Sequence, residues 1–437
     1  PLGRLKQQIA QPNGHNKADP AVLIGRSYQY DTIGNLVRTD DQTNGSRDYT
    51  YDALGRITQS ADEHYRYDPA HNLTDGSRIS GNRLTQYQGT SYRYDPLGNL
   101  IEKQQHDGEI QHYRYNADNQ LTEAEIHKPG ESPVQYRYRY DPMGRRIAKV
   151  HPDGNEIQYL WDGSRLLQEY RKDRTYTYVY TEDRNYELLA QITTYNGTDK
   201  AREILYYHND QIGIPREMTD GEGNIVWSGN YSGWGKLTQE ERLKPEVHQP
   251  FRLQNHYCDL ETELHYNFFR YYEPEAGRFV NQDPIGLLGG ENLYQFAPNM
   301  QSWIDPLGLI KAKVIDGVLH IFNKYRKNSV EDKALNKFVE AWNKSIADNG
   351  GSLSRCAVSD ETRIKASKAA AQHKKQNPSL YKKGEVAGHI PDVGWGGKTD
   401  GPFMPLNSRV NSYIGGVTQA VPVGTKYSSV KLVNYIL

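Results

Sequence analysis

The stretch Tyr94-Asp95-Pro96-Leu97-Gly98-Asn99-Leu100 decides the fold, because variants of it recur along the first half of the chain. The Tyr-Asp pair with its following glycine occurs again at Tyr30–Leu36, Tyr51–Ile57 and Tyr140–Arg146. Degenerate copies occur at Tyr67-Asp68, Tyr115-Asn116 and Trp161-Asp162, so the copies are roughly 16 to 27 residues apart. A period of this length is typical of repeat architectures in which each unit is one supersecondary element.

Each copy predicts one β-hairpin. The stretch Tyr136-Arg137-Tyr138-Arg139-Tyr140 alternates with a period of two, which places the tyrosines on one sheet face and the arginines on the other. In the Asp-Pro-x-Gly turn that follows, Asp caps the turn, Pro restricts φ and Gly accepts a positive φ. One hairpin cannot bury its own face, so we expect neighbouring hairpins to stack. The 34 tyrosines and 39 glycines of the chain favour the same β-rich fold.

This pattern resembles the YD repeats of the Rhs family and of the related teneurin and toxin-complex proteins, across most of residues 20–240. The resemblance implies a hollow β cocoon that encloses a C-terminal toxin. The predicted fold class is therefore multidomain: a YD-repeat β shell of antiparallel hairpins, forming part of a cocoon, followed by a small, mainly α (α+β) toxin domain. The chain has no initiator Met and opens on Pro1–Leu5, the second half of a repeat, so we expect it to be a fragment.

A denser segment follows the repeats and contains two further Asp-Pro-x-Gly motifs. It includes Leu264–Pro274, continues through Gln282–Gly286 and closes on Trp303–Leu309. This segment resembles the Rhs-associated core nearly residue for residue. Members of that family cut themselves after the last Leu of the DPxGL motif, using aspartates of the two Asp-Pro motifs. The resemblance therefore implies a self-cleaving segment.

Two adjacent carboxylates can share one proton because both cannot ionise together. One then activates water while the other donates a proton to the carbonyl. By resemblance, Asp283 and Asp305 form this dyad, Arg278 is an orienting or charge-stabilising neighbour, and Leu309–Ile310 is the scissile bond. The residues alone also fit two ordinary Asp-Pro-Gly turns like those of the repeats, and that structural interpretation stays open.

Charge separates the chain at the same place. Residues 310–437 contain 20 basic and 10 acidic side chains, a net charge of +10, which leaves −11 for the first 309 residues. A basic tail behind an acidic body suggests a polyanionic partner for the tail alone, although its lysines could also simply solvate helix faces. We predict a YD-repeat shell fragment at 1–250, the core with its cleavage motif at 251–309, and the toxin domain at 310–437.

Helical patterns dominate the front of the tail. Ser329 is placed as the N-cap of a helix over residues 330–342, with acidic residues in its first turn and apolar residues on one face. A second helix is predicted from Asp360 to Gln376, before Pro378. The last residues, from Tyr427 to Ile436, alternate as in a strand.

One motif of the tail stands out as a candidate site. His389 and Asp392 flank a proline, so both side chains can lie on one side of a turn as a metal-binding pair or as a base with its orienter. A lone HxxD also occurs in purely structural turns. With Gly396-Gly397 and Ser408–Gly416 behind it, however, the motif resembles the HxxD toxin family called novel toxin 15, over roughly residues 360–420.

That family comprises metal-dependent DNases of interbacterial effectors. The resemblance implies that His389 acts as general base or ligand, that Asp392 binds a divalent ion, Mg²⁺ or Mn²⁺, and that Glu385 is a further metal ligand. It also implies that a set of polar and basic residues holds phosphates of the nucleic acid: Arg409, Asn411, Lys374, Lys382 and Lys383. The chain departs from the family after Pro422, where the tail is predicted to be extended.

Other functions are weighed by the chemistry that they need. A zinc deaminase is excluded because it needs Cys-x-x-Cys and the tail has only Cys356. An RNase, an ADP-ribosyltransferase or another non-nuclease toxin, and an adhesion or scaffold protein of teneurin type stay open. The family also implies an immunity protein and a secreted protein that reaches the target-cell cytoplasm by type VI secretion, through VgrG or adaptor contacts. No signal peptide or membrane span is expected.

Overall fold

The structure is a computed structural model. It describes residues 5–11, 23–31, 35–76, 79–181, 186–198, 202–286, 291–303, 305, 308, 312–315, 317–323, 329–356, 358–417, 421 and 424–434. The chain divides into an N-terminal unit, formed by Leu5–Leu287 and Glu291–Leu309, and a C-terminal unit that contains Ile310–Leu437. The predicted shell and core therefore fall within one compact unit.

The N-terminal unit is built of short strands. They are β1 (Gln7–Ala10), β2 (Ile24–Tyr30), β3 (Leu36–Asp41), β4 (Gly45–Tyr51), β5 (Ile57–Ser60), β6 (Glu63–His64), β7 (Ile79–Ser80), β8 (Arg83–Leu84), β9 (Gln86–Tyr87), β10 (Thr90–Tyr94), β11 (Leu100–Gln104), β12 (Ile110–Tyr115), β13 (Leu121–His127), β14 (Val134–Tyr140), β15 (Arg146–Val150), β16 (Glu156–Asp162), β17 (Arg165–Tyr170), β18 (Arg174–Tyr180), β19 (Leu188–Tyr195), β20 (Glu203–Asn209), β21 (Pro215–Thr219), β22 (Ile225–Tyr231), β23 (Leu237–Arg242), β24 (Tyr257–Cys258), β25 (His265–Asn267), β26 (Arg270–Glu273) and β27 (Arg278–Phe279).

These strands pair in sequence order. β1–β6 form a six-stranded sheet, β7 pairs with β8, β9–β23 form a fifteen-stranded sheet, and β24–β27 form a four-stranded sheet. Neighbouring strands are antiparallel throughout, for example β14 with β15 and β18 with β19. The predicted antiparallel hairpins of the repeats are confirmed.

The Tyr-Asp repeat builds its turns as the residue types predict. At Asp95-Pro96-Leu97-Gly98, the backbone N–H of Asn99 donates to Asp95 Oδ1 at 2.8 Å, and the Asn99 amide donates to Asp95 Oδ2 at 3.0 Å. Gly98 has φ +87°, which favours glycine. One carboxylate therefore binds both the main chain and the side chain of the residue four positions later.

The tyrosine of several Tyr-Asp pairs links its hairpin to an earlier one. The Tyr180 hydroxyl donates to the Leu166 carbonyl at 2.8 Å, and the Tyr140 hydroxyl donates to the Leu121 carbonyl at 2.7 Å. The same bond joins Tyr30 to Leu5, Tyr51 to Leu36, Tyr67 to Ile57 and Tyr231 to Pro215. We call these hydrogen bonds the repeat rungs.

Degenerate repeats keep the rung with other donors. In Trp161-Asp162, the Trp161 indole N–H donates to the Arg146 carbonyl at 2.8 Å. In Asn209-Asp210, the Asn209 amide donates to the Leu188 carbonyl at 2.7 Å. The position thus requires a buried donor of suitable reach rather than tyrosine itself.

The face of the large sheet that carries the tyrosines is buried against residues 247–303. In β14, Tyr138 is buried while Arg137 and Arg139 are exposed, as the period of two predicts. Aromatic rings pack edge to face across the boundary, for example Tyr178 against Phe251 with ring centroids 4.7 Å apart. Residues 247–303 therefore supply the side chains that cover the tyrosine face of the hairpins.

Charged groups are also buried at this boundary. Arg146 pairs with Asp259, and Lys149 lies 3.1 Å from Asp259 Oδ1 and 2.9 Å from Glu261 Oε2. Neither Arg146 nor Asp259 has appreciable solvent exposure. Because buried charges are costly unless paired, these pairs specify where the segment sits on the sheet.

The C-terminal unit mixes helices and strands. Its elements are β28 (Ala312–Ile315), β29 (Val318–Asn323), α1 (Val330–Asp348), β30 (Leu353–Ser354), α2 (Asp360–Gln376), β31 (Glu385–His389), β32 (Phe403–Asn407), α3 (Ser408–Val417), β33 (Lys426–Tyr427) and β34 (Ser429–Asn434), with 3-10 turns at Pro378–Leu380 and Val393–Trp395. β28, β29 and β34 form a sheet in which β29 and β34 are parallel, while β30 pairs with β33 and β31 pairs with β32.

The two predicted helices are confirmed. Ser329 caps α1, because its hydroxyl accepts the Asp332 N–H at 3.0 Å, and the apolar face of α1 is buried in the core of the unit. There Trp342 packs against Trp395 and Tyr427. The strand expected near the C-terminus is present as β34. Among the described residues, no helix is long and apolar enough to cross a membrane.

We predict that a repeat rung contributes measurable stability. In Tyr180→Phe, the Leu166 carbonyl loses its donor, so the free energy of unfolding of the N-terminal unit should fall by about 1–2 kcal/mol. Tyr206→Phe is the matched control, because that ring is 40% exposed and the change should cost less than about 0.5 kcal/mol. Urea titration with fluorescence detection measures both; equal losses would show that the rung carries no specific stability.

Candidate functional site

Arg270 brings the two predicted catalytic aspartates together in the N-terminal unit. Its Nη2 atom lies 3.1 Å from Asp283 Oδ2 and 3.6 Å from Asp305 Oδ2. All three side chains are buried, and the guanidinium lies 3.6 Å from the ring centroid of Phe279. The carboxylates, which are 22 residues apart in sequence, therefore meet around one cation.

The same arginine also holds the chain next to the predicted cleavage point. Its Nε donates to the carbonyl of Gly308, and the Asn267 amide donates to the Asp305 carbonyl at 2.7 Å. The backbone at Asp305 and Gly308 is thus bound from β25 and β26. The predicted scissile bond, Leu309–Ile310, lies outside the described residues.

One residue distinguishes these two turns from most turns of the repeats. In most repeat turns, the residue four positions after Asp is Asn or Arg and binds Asp Oδ2, as Asn99 and Arg145 do. The Asp210 turn is the exception, because Ile214 takes that position and Arg216 binds Asp210 Oδ2. In the two core motifs that residue is Leu287 or Leu309, which has no donor in its side chain. The second carboxylate oxygen is then available to Arg270.

Burial shifts the pKa values of Asp283 and Arg270. Desolvation raises the pKa of Asp283 above its usual value, while Arg270 and the backbone N–H of Ile285 act in the opposite direction. Desolvation also lowers the pKa of Arg270, against the attraction of Asp283 and Asp305. A carboxyl with a raised pKa can hold a proton closer to neutral pH, as acid catalysis requires.

Arg278 does not take the position that the sequence analysis expected. Its guanidinium donates to Asn72 Oδ1 at 3.1 Å and to the Asn82 carbonyl, and it stacks over the Tyr294 ring. Arg270 occupies the place between the aspartates instead. Sequence reasoning missed Arg270, although the leucines that replace Asn or Arg after Asp283 and Asp305 were a usable signal.

In the C-terminal unit, His389 ends β31 and Asp392 caps the 3-10 turn that follows. His389 Nε2 lies 3.1 Å from the Thr399 carbonyl, and Asp392 Oδ1 accepts the Gly394 N–H at 2.9 Å. Because a carbonyl only accepts, Nε2 is the donor in this contact, which leaves Nδ1 as the nitrogen that can act as base or ligand. The His389 ring packs on Phe403, with centroids 4.6 Å apart.

Asp392 is electrostatically coupled to its surroundings. Burial raises the pKa of Asp392, and this effect is opposed by the Gly394 N–H and by the charges of His389, Arg355 and Arg363. His389, Arg355 and Arg363 are therefore the charged residues whose effect reaches Asp392, and the sequence analysis did not select the two arginines.

Tight backbone contact shapes the turn between these residues and Gly397. A Cβ atom at Gly397 would lie 1.9 Å from the Pro391 carbonyl oxygen, so only glycine fits there. The Gly397 N–H donates to the Asp392 carbonyl at 3.1 Å. At the end of β31, Gly388 lies against Leu406 and Asn411, which places Asn411 beside the strand residue before His389.

The other predicted residues lie at the opposite end of β31. Glu385 Oε2 accepts the Lys382 N–H at 2.8 Å, and Lys374 Nζ donates to the Glu385 carbonyl at 2.5 Å. Lys382 and Lys383 are exposed. The side chain of Arg409, on α3, lies outside the described part of the structure.

The three predicted metal ligands do not lie together. Among the described residues, no three His, Cys, Asp or Glu side chains are grouped to hold a metal ion. Glu385 begins the strand that His389 ends, so it does not join His389 and Asp392. These two residues alone have the donor chemistry for a divalent ion, with Asp392 supplying a hard oxygen.

Comparison with known proteins identifies the family. The family model described as RHS protein matches residues 204–241. The double-stranded DNA deaminase toxin A of Burkholderia cenocepacia (strain H111) is 35% identical over 71% of this chain. The chain belongs to the Rhs family. This Rhs chain spans 24% of the length of the Burkholderia relative.

Two further similarities illustrate the range of the matches to this Rhs chain. The probable deoxyribonuclease RhsA of Dickeya dadantii (strain 3937) is 31% identical over 36% of the chain and 11% of its own length. The crystal structure of TcdB2-TccC3 has a TM-score of 0.49 at 19% identity, covering 70% of this chain and 18% of that chain.

We predict that the turn at Gly397 tolerates no side chain. Gly397→Ala should destabilise the C-terminal unit by about 3 kcal/mol, because the new Cβ meets fixed backbone. Gly415→Ala is the matched control: it has open space on α3 and should be neutral or stabilising by up to about 1 kcal/mol. Hydrogen exchange of peptides from residues 385–417 in the full chain measures both, and normal protection in Gly397→Ala would contradict the geometry.

Proposed function

We propose that this chain is part of an interbacterial Rhs toxin whose N-terminal unit cuts the Leu309–Ile310 bond. The observation that carries the proposal is the position of Asp283 and Asp305 around Arg270, which also binds the Gly308 carbonyl. Gly308 is one residue before Leu309, so an arginine fixed by two carboxylates also orients the segment to be cut.

The two carboxyl groups would divide the chemistry. Asp283, whose pKa is raised by burial, would donate a proton to the Leu309 carbonyl oxygen. Asp305 would accept a proton from the attacking water. Breakdown of the tetrahedral intermediate returns a proton to the Ile310 nitrogen, so water is added across the bond and leaves a Leu309 carboxylate and an Ile310 amine.

We predict that both aspartates are needed for the cut. Asp283→Asn or Asp305→Asn should slow the appearance of the fragment beginning at Ile310 by at least about 100-fold, as expected for loss of an acid or base. Asp141→Asn is the control, because Asp141 occupies a repeat turn and pairs with Arg145. Gel electrophoresis and intact mass over time measure the cut; unimpaired cleavage in both core variants would refute the proposed dyad.

The proposal extends to the C-terminal unit, which we assign as a metal-dependent DNase. His389 and Asp392 lie on neighbouring elements, with the imidazole oriented by Thr399 and Asp392 near two arginines. His389 would act as base or ligand, and Asp392 would bind Mg²⁺ or Mn²⁺, which would polarise the phosphodiester when bound. The +10 charge of residues 310–437 supports a polyanionic substrate.

The relatives support the class of activity more than the particular reaction. Their names include a DNA deaminase toxin and a probable deoxyribonuclease, which are different chemistries. The single Cys of the tail disfavours a zinc deaminase here, whereas an RNase uses the same phosphate chemistry and is the second candidate.

The same proposal includes partners. A DNase would harm the cell that makes it, so we propose a cognate immunity protein that binds the C-terminal unit, detectable by co-purification from the producing strain. We also propose delivery to the target-cell cytoplasm by type VI secretion machinery, which imaging of the tagged C-terminal unit in recipient cells would test.

We predict that cutting of plasmid DNA by the full chain requires a divalent ion. Chelator should abolish it, Mg²⁺ or Mn²⁺ should restore it, and His389→Ala or Asp392→Asn should lower the rate by about 100-fold or more. Asp348→Asn is the control for Asp392→Asn, because Asp348 is exposed at the end of α1.

RNA is tested in parallel to separate the two nuclease candidates. Intact DNA together with cut RNA would favour the RNase. If both polymers stay intact with every metal, the nuclease proposal fails.

A further inference from the structure

α2 carries a run of cations on the surface of the C-terminal unit. After Glu361 it contains no acidic residue and five basic ones: Arg363, Lys365, Lys368, Lys374 and Lys375. Its buried side is limited to small or short residues, with Ala366 as the buried centre, and the basic residues are exposed. A helix of this kind contributes little to the apolar core, so its charge pattern needs another explanation.

Two of these cations lie on the same flank of α2. Arg363 and Lys374 are eleven residues apart, which is about three helical turns, so their directions differ by only about 20° and their heights by about 17 Å. Lys374 donates to the Glu385 carbonyl and lies 5.8 Å from the centroid of the Tyr381 ring. This flank therefore faces β31 at its first residue.

Arg363 marks the other end of the same flank. It lies in the first turn of α2, and its charge acts on Asp392, as does that of Arg355. At the C-terminal end of α2, His373 precedes Lys374, and its ring centroid lies 4.8 Å from that of Phe403, which pairs with His389. The flank therefore has Lys374 at the hairpin of β31 and β32 and, about three helical turns away, Arg363, whose charge reaches Asp392.

A further cation, Arg355, precedes α2 in the sequence and contacts the turn that Asp392 caps. Its Nη1 donates to the Gly394 carbonyl at 3.5 Å, while Asp392 accepts the N–H of the same glycine at 2.9 Å. The backbone N–H of Cys356 also donates to the Gly394 carbonyl, at 2.9 Å. One glycine is therefore held by both the arginine and the carboxylate, which keeps the two side chains close to each other.

We propose that Arg355, Arg363 and Lys374 form a cationic track along α2 that binds the phosphates of one nucleic-acid strand. In this track Arg355 and Arg363 bind the phosphate next to His389 and Asp392, and Lys374 binds a phosphate further along. Arginine suits the first position because its planar group can bind two phosphate oxygens at once. The roughly 17 Å between Arg363 and Lys374 matches the span of a few nucleotides.

The proposal rests on the proposed nuclease function and adds the path of the nucleic-acid strand along α2. It also reassigns the sequence-derived phosphate contacts, because Lys382 and Lys383 lie at the end of β31 that is distant from His389. Such contacts to phosphate would fix the position of the strand without reading its sequence.

Binding and cutting are measured separately on the full chain. Fluorescence anisotropy with a labelled DNA duplex, titrated from low to high salt, gives the affinity and its salt slope. Arg363→Met should weaken binding by roughly eightfold at 0.1 M salt and reduce the salt slope by about 0.9, the effect of one lost phosphate contact. Lys337→Met is the matched control, because Lys337 is an exposed cation on α1 and should leave both values unchanged.

The partly buried side chain of Arg355 also supports the turn at Gly394, so its loss could disturb the fold. Arg355 is therefore tested with two variants, one of which keeps the positive charge. Arg355→Met should lower kcat/KM by at least about tenfold, and Arg355→Lys should recover part of the binding but little of the rate, because lysine cannot bind phosphate in two places. Hydrogen exchange of residues 385–407 identifies a variant that has lost the turn.

The outcomes separate this proposal from the nuclease proposal. If the wild-type chain cuts DNA while Arg363→Met and Arg355→Lys bind and cut like Lys337→Met, the track is wrong and the nuclease stands. If the wild-type chain binds DNA with the predicted effect of Arg363→Met but cuts neither DNA nor RNA, the nuclease is wrong and the track stands. A wild-type chain that binds neither polymer overturns both.

Discussion

In several Tyr-Asp pairs the tyrosine hydroxyl lies between two hairpins, and its acceptor there is the main-chain carbonyl of an earlier hairpin. The rung from Tyr180 to Leu166 is one example, and Trp161 and Asn209 preserve the bond with other donors. Because each rung ties one repeat to another, the hairpins keep a common register through fifteen consecutive strands. The tyrosine face that results is apolar and rich in rings, and it must be covered, which is what residues 247–303 do.

Covering that face places a catalytic candidate in the same core. The Asp-Pro-x-Gly turn is a structural device in the repeats, where the residue four positions later binds the second carboxylate oxygen. Replacing that residue by leucine in the core leaves the oxygens of Asp283 and Asp305 to Arg270, which is buried and lies beside both. A small change in a turn thus converts a capping carboxylate into one half of a candidate dyad, and burial then shifts its pKa in the direction that acid catalysis needs.

The C-terminal unit follows a different plan. Its candidate residues lie where a short strand meets a 3-10 turn, and close packing at Gly397 holds that turn in one shape. The charges of Arg355 and Arg363 act on Asp392, and Lys374 binds the carbonyl of Glu385, the first residue of β31.

The sequence by itself determined the hairpins, their turns and the inward face of the tyrosines, because a period of two and the local chemistry of Asp-Pro-x-Gly act over a few residues. It also determined α1, whose cap and apolar stripe are local. Only the tertiary structure decided that Arg270 rather than Arg278 lies between the aspartates, since strands β26 and β27 both carry a buried arginine. It likewise decided that Glu385 lies apart from His389. The two residues are close in sequence, but they are the first and last residues of the extended strand β31.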